Sequence, residues 1–214
     1  GSSAITSGGA LELSAKNDVQ AETVADISAR PTAVGGTVAV TELTTVTQAS
    51  IEDAAQTSSA SLTVKAESKN TVLNTAKAAA KGAQKQPEAG KTPANASQTE
   101  KSLEKYKDEG STSEGSVDVA AAVAIVSLNS QTQASIGSSA LQNTTGLATV
   151  SGVASNASTV DADGSTVGDG ADVGIGAAFA LNIGALTNTA LIGDNAQVHA
   201  NGLTLQATVP AGES

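Results

Sequence analysis

The phrases "TQASIED" at 47–53, "TQASIGS" at 132–138 and "NTALIGD" at 188–194 are three versions of one another. Aligned on Ile51, Ile136 and Ile192, each copy has a leucine eleven residues later: Leu62, Leu147 and Leu203. Thirteen residues before the anchor stands an apolar residue in a Val/Ala-rich run: Val38, Val123 and Phe179. A partial copy, "ALELSAKN" from Ala10, matches only the tail of the unit, so the chain is expected to open and close on repeat tails. The tail leucines, starting from Leu11, are spaced 51, 85 and 56 residues apart. Self-similarity at such periods marks a stacked architecture, and the long middle interval implies an insertion of roughly 30 residues.

The repeated runs read as short strands. "TVAVTEL" and "VAIVSL" are rich in β-branched residues, and "LTLQATV" alternates apolar with polar. Between them "GDNAQVHANG", "GSSALQNTTG" and "EDAAQTSSAS" carry turn chemistry. The chain has one Phe, one Tyr, no Trp and no Met, so Ala, Val, Ile and Leu must fill the core, with Ser, Thr and Gly. A thin core of small stacked residues suits repeat units that pack only on their neighbours. The expectation is an all-β parallel β-helix, a solenoid with roughly two coils per repeat of about 56 residues. A β-sandwich is the alternative; it explains the strands but not the repeat.

Composition narrows the function classes. There is no Cys, which removes disulfides, thiolate zinc sites and cysteine nucleophiles. The net charge of −10 disfavours nucleic acid and anionic membranes as partners. No apolar run reaches the roughly 18 residues of a membrane span. No signal peptide is visible, and Gly1-Ser2 reads as a cloning remnant on an excised piece of a longer chain.

One segment differs from its surroundings. Residues 65–109 hold nine of the 11 basic residues against six acidic ones. Ala/Lys-rich residues 71–85 favour helix, and Pro87, Gly90 and Pro93 stop it. Ser97 and Glu100 form a capping box for a second helix that Gly110 ends. The domain reading is therefore repeats over 1–70 and 111–214, with an insertion over 71–110 that is a helical hairpin or a disordered loop. Insertions in solenoids often lie on the binding face. The candidate partner-binding residues are Lys77, Lys81, Lys85, Lys101, Lys105 and Tyr106.

Other sites are sparse. His199, the single histidine, lies in a polar turn without partners for metal binding or catalysis. Asp161, Asp163, Asp169 and Asp172 in "DADGSTVGDGAD" give a weak calcium candidate, because the rest of a calcium loop is missing. Glycines of "GIGAAFALNIG" do not form a phosphate-binding motif. No catalytic residue and no cofactor are expected. An enzyme reading would need facing carboxylates, as in glycoside hydrolysis.

The unit ending "NTALIGDNAQVHANGLTLQAT" resembles repeats of filamentous-haemagglutinin-like and leukotoxin-type filamentous adhesins, very large bacterial exoproteins that include autotransporter passengers. Asn188, Thr189, Ala190, Ile192, Gly193, Asp194, Ala196 and Val198 carry the likeness, with Gly202, Leu203, Leu205 and Ala207. The second copy keeps Ala134, Ile136 and Gly137 but has Ser138 for the Asp; the first keeps Ala49 and Ile51 and has Glu52 for the Gly. The resemblance implies a right-handed β-helix shaft, extracellular and held at the cell surface of a bacterium with an outer membrane. It implies a structural and adhesive role in virulence, with a host or cell-surface protein or glycan as partner. Open coil edges add an expectation of end-to-end or edge self-association. The alternatives are a toxin or receptor-binding fragment acting through 71–110, and a carbohydrate-active β-helix enzyme.

Overall fold

A computed structural model describes residues 3–27, 34–79, 117–166 and 173–210. These residues are all-β, without a helix among them. The chain forms β1 (Ala4–Thr6), β2 (Ala10–Asp26), β3 (Val34–Ile51), β4 (Gln56–Ser59), β5 (Ser61–Lys77) and β6 (Val117–Ile136). It continues with β7 (Leu141–Thr144), β8 (Leu147–Asp163), β9 (Val173–Ile192), β10 (Gln197–His199) and β11 (Gly202–Thr208). Three sheets result: sheet I, β3-β6-β9; sheet II, β1-β4-β7-β10; and sheet III, β11-β8-β5-β2. All their strand pairs are parallel, whereas a sandwich of the expected alternative kind pairs antiparallel. The chain visits the sheets in the order I, II, III and then begins the next circuit.

The sequence phrase and the register coincide. Ile51 pairs with Ile136, and Ile136 with Ile192. One repeat makes one circuit, not two. The strands of sheets I and III run 17 to 20 residues, apart from β11, because alternation continues unbroken through each run. The tail column also needs correction. Leu62 and Leu203 both pair with Ala148, so the second circuit carries one extra residue at the corner between β7 and β8. Leu147 is consequently 64% exposed, and Ala148 takes the buried position. Residues 71–77, expected to begin a helix, are the last part of β5, in register with 20–26 and 157–163. Pairing on both sides overrides the helix propensity of Ala and Lys. The rest of the expected insertion, 80–110, lies outside the described residues.

Sheets I and III form two facing layers, and sheet II closes one margin between them. The interior changes along the layers. Beside sheet II it holds Ile51, Leu62, Val64, Ile136 and Val150. Further away it narrows to Val72, Val126 and Leu128. Around Ala39, Ala76, Ala78, Ala120, Ala122 and Ala124 the fully buried apolar residues are all alanine, with Ile27 and Val160 packed against them. Between the apolar clusters the filling is polar. The Asn70 amide donates towards Thr45, Ser130 and Asn156 at 3.2, 3.0 and 2.7 Å. The Asn74 amide nitrogen lies 2.9 Å from Thr41 Oγ1, 2.8 Å from the Ile125 carbonyl and 3.3 Å from that of Ala39. Two amides on β5 thus tie sheet III to β3 and β6 across the interior. Asn74→Ala is expected to lower stability by about 1–3 kcal/mol through lost buried hydrogen bonds. Thr44→Ala, on the exposed side of β3, should change it by less than about 0.5 kcal/mol; denaturant melts compare them.

The turns between sheets I and II stack as closely as the strands. Ala54, Ser139 and Asn195 occupy the same left-handed position, with φ of 56°, 55° and 58°. Ala54 N–H donates to the Ser138 carbonyl at 2.9 Å, and Ser139 N–H to that of Asp194 at 2.8 Å. This approach explains a glycine that the sequence keeps in two copies and drops in one. A Cβ on Gly137 would lie 2.6 Å from Asp53 N, and one on Gly193 2.7 Å from Ser138 N. Glu52 holds the equivalent position in the first circuit, and among the described residues no such turn lies beneath it. Gly137→Ala should therefore cost about 1–3 kcal/mol by overpacking against backbone. Glu52→Gly should be tolerated, and thermal melts of the two variants test the contrast.

Candidate functional site

The alternation that builds the core also sorts the charges. On sheet III the outward positions of β2 are Glu12, Ser14, Lys16, Asp18, Gln20, Glu22, Val24 and Asp26. Those of β5 include Lys65, Glu67, Lys69 and Lys77, and those of β8 include Asp161 and Asp163. Register places Lys69 beside Asp18, and Lys77 between Asp26 and Asp163. Seven acidic and four basic residues thus share one outer face. Glu67 takes Lys65 at 2.7 Å and Lys16 at 3.5 Å. The hydrogen bond from Lys65 is the main cause that holds the Glu67 carboxyl below its ordinary 4.5; burial opposes it, and the charges of Lys65 and Lys16 add to the lowering.

The outer face of sheet I is the opposite. Its positions on β3 are Val34, Gly36, Val38, Val40, Glu42, Thr44, Val46, Gln48 and Ser50. The in-register positions on β6 and β9 carry no charge. Val38, Val123 and Phe179 stand side by side, as do Val40, Ile125 and Leu181. Val38 is 66% exposed and Phe179 53% exposed. The inward columns beside them hold Ala39, Ala124 and Ala180, and Thr41, Val126 and Asn182. Over this half of the sheet the outside is more apolar than the inside. The signal was present in the spacing: thirteen is an odd separation, so Val38 and Ile51 on one strand face opposite sides.

The sequence-derived candidates are scattered. Asp161 and Asp163 are exposed at the end of β8; Asp169 and Asp172 lie outside the described residues. The nearest in-register neighbour of Asp163 is a lysine, Lys77. Among the described residues no group of three or more His, Cys, Asp or Glu side chains could hold a metal. Lys77 ends β5, exposed on the charged face. Lys81, Lys85, Lys101, Lys105 and Tyr106 lie outside the described residues. His199 is exposed on β10, in register with Asn143. Asp118 is the one fully buried carboxylate among the described residues, and neither of its oxygens has a hydrogen-bond partner.

A cleft of about 270 Å³ is lined by Leu128, Asn156, Ser158, Asn182, Gly184 and Leu186. It opens where β8 runs on past Val153, the partner of Thr208 at the end of β11. No described helix is long and apolar enough to cross a membrane. No protein-family model, no curated protein and no solved structure matches the chain.

The Glu67 cluster gives a pH-dependent expectation. A carboxylate with a lowered folded pKa stabilises the fold above its unfolded pKa, and that contribution disappears as pH falls through the folded value. Because the Glu67 side chain is partly exposed, at 33%, solvent screens its ion pairs, and Glu67→Gln should cost less than about 1 kcal/mol at neutral pH. The difference between the two proteins should vanish at pH well below 4.5. Urea melts across pH check the direction.

Proposed function

We propose that this chain is a segment of a right-handed parallel β-helix, the shaft of a large extracellular bacterial adhesin of the filamentous-haemagglutinin-like class. The observation that carries the reading is the in-register stacking of the repeat: Ile51, Ile136 and Ile192 in one column, with a turn after each. A cyclic order of parallel strands supports a helical winding, and right-handed crossover is the general rule for parallel strands of one sheet. The residues of the resemblance have stacking roles that support it further. Ile192 packs against the largest core cluster, and Gly193 allows the close turn.

In this role the chain works as a spacer with an adhesive surface. Each long strand is hydrogen-bonded to its neighbours along its length, so bending the stack would break many bonds together. Cell-surface display holds such a shaft away from the bacterium, and its partner is a host or cell-surface protein or glycan. Beads coated with the chain should attach to epithelial cells, and soluble chain should compete; attachment no better than with albumin-coated beads would contradict the adhesive role. A variant lacking 80–110 separates the two contact surfaces. Lost attachment with an unchanged melt would move binding to the insertion, and retained attachment would leave it on the shaft.

A further inference from the structure

We propose that a second copy of this chain docks on the outer face of sheet I, forming a two-fold pair through the side-by-side residues Val38, Val123 and Phe179, with Val40, Ile125 and Leu181. The inference does not depend on the adhesive reading. It starts from the fact that apolar side chains recur at these outward positions in all three circuits. Packing within one copy does not require them there, since the core lies on the other side of the sheet.

Area favours a second copy. Three strands about 4.8 Å apart and about 18 residues long at 3.3 Å each give a face of roughly 850 Å². A standard specific interface buries about 800 Å² per partner. The composition has the usual arrangement of an apolar region with a polar, uncharged remainder. Thr44, Val46, Gln48 and Ser50 supply that remainder on β3. Glu42 is the only charged residue among these outward positions, and it stands on the edge strand β3, where it can stay wet.

Charge favours the same occupant. Two chains of net charge −10 repel in most orientations. Face to face through sheet I, their charged sheet III faces point away from each other. With layers about 10 Å apart, three interlayer gaps separate those faces by roughly 30 Å. That is several times the Debye length of about 8 Å at physiological ionic strength. A charged partner finds almost nothing complementary on sheet I, whereas an identical uncharged face meets it without penalty.

Sedimentation equilibrium of the full chain from about 1 to 200 μM tests the pairing, since an interface of this size without large hot spots is expected to bind in the micromolar range. The expected result is a monomer–dimer equilibrium that persists at high salt. Val123→Lys, in the central strand β6, should weaken the dimer at least tenfold, with the melting curve unchanged at concentrations where both proteins are monomeric. Leu73→Lys, on the outer face of sheet III, should leave it intact. Should Val123→Lys fold poorly, the more exposed Val38→Lys gives the same readout. A monomer throughout the range would overturn the proposal. So would a dimer that survives both lysines, because that points to pairing through strand edges. Flotation of the monomer with phosphatidylcholine vesicles, lost in Val123→Lys, would make the face a lipid surface and would equally overturn it.

Discussion

Parallel pairing in strict register between successive circuits is the constraint on which the rest depends. Once Ile51 lies beside Ile136 and Ile136 beside Ile192, every residue of β3, β6 and β9 has a fixed neighbour. Like residues then form columns, and side-chain direction alternates in step across the whole sheet. A slip of one residue would turn the core outward and the surface inward. The turns obey the same constraint, since left-handed Ala54 and Ser139 each donate to the carbonyl of the residue before their counterpart in the next circuit.

Register also explains the unusual filling. Away from sheet II the two long layers enclose mostly alanine and small polar side chains, with Val72, Val126 and Leu128 as the larger apolar ones. Hydrophobic burial per residue is therefore modest there, and side-chain hydrogen bonds take a larger share in joining the layers. Asn70 and Asn74 reach both neighbouring strands of sheet I, which is a directional link that leucine could not supply. The same alternation places eleven charged residues outside sheet III and one outside sheet I. Core, cross-links and the two unlike faces are consequences of one pattern.

Much of this was legible in the sequence. The anchor isoleucines predicted the stacking column, but each Gly/Asn/Asp/Ser run expected to be a turn holds a short sheet II strand, β4, β7 or β10, between two corners. The circuit length was misread, because short strands are the common case and nothing in Val/Thr/Ala alternation announces where a strand of 17 to 20 residues will stop. The tail leucine misleads because Leu147 keeps the eleven-residue spacing from its anchor, whereas the one-residue corner insertion moves the equivalent position to Ala148. Ala54 could not be recognised as a left-handed residue, since alanine rarely adopts that conformation; Asn195 in the same place could. The apolar outer face was encoded in the odd separation of Val38 from Ile51, a parity that apolar content alone conceals. The candidate lysines rest on composition and the candidate aspartates on a fragment of a calcium-loop pattern, and neither says which face a strand residue takes.

A cysteine ladder tests the stacking most directly, because the chain contains no native thiol. Gln48 and Gln133 are in register on the outer side of sheet I, and Gln133 is in register with Thr189. Neighbouring strands about 4.8 Å apart fall within disulfide reach. Cysteines at 48 and 133, or at 133 and 189, should cross-link under mild oxidation. A pair at 48 and 127, displaced by about 20 Å along the strand, should not. Absence of the in-register bonds, or equal yields from the displaced pair, would contradict the circuit-on-circuit architecture.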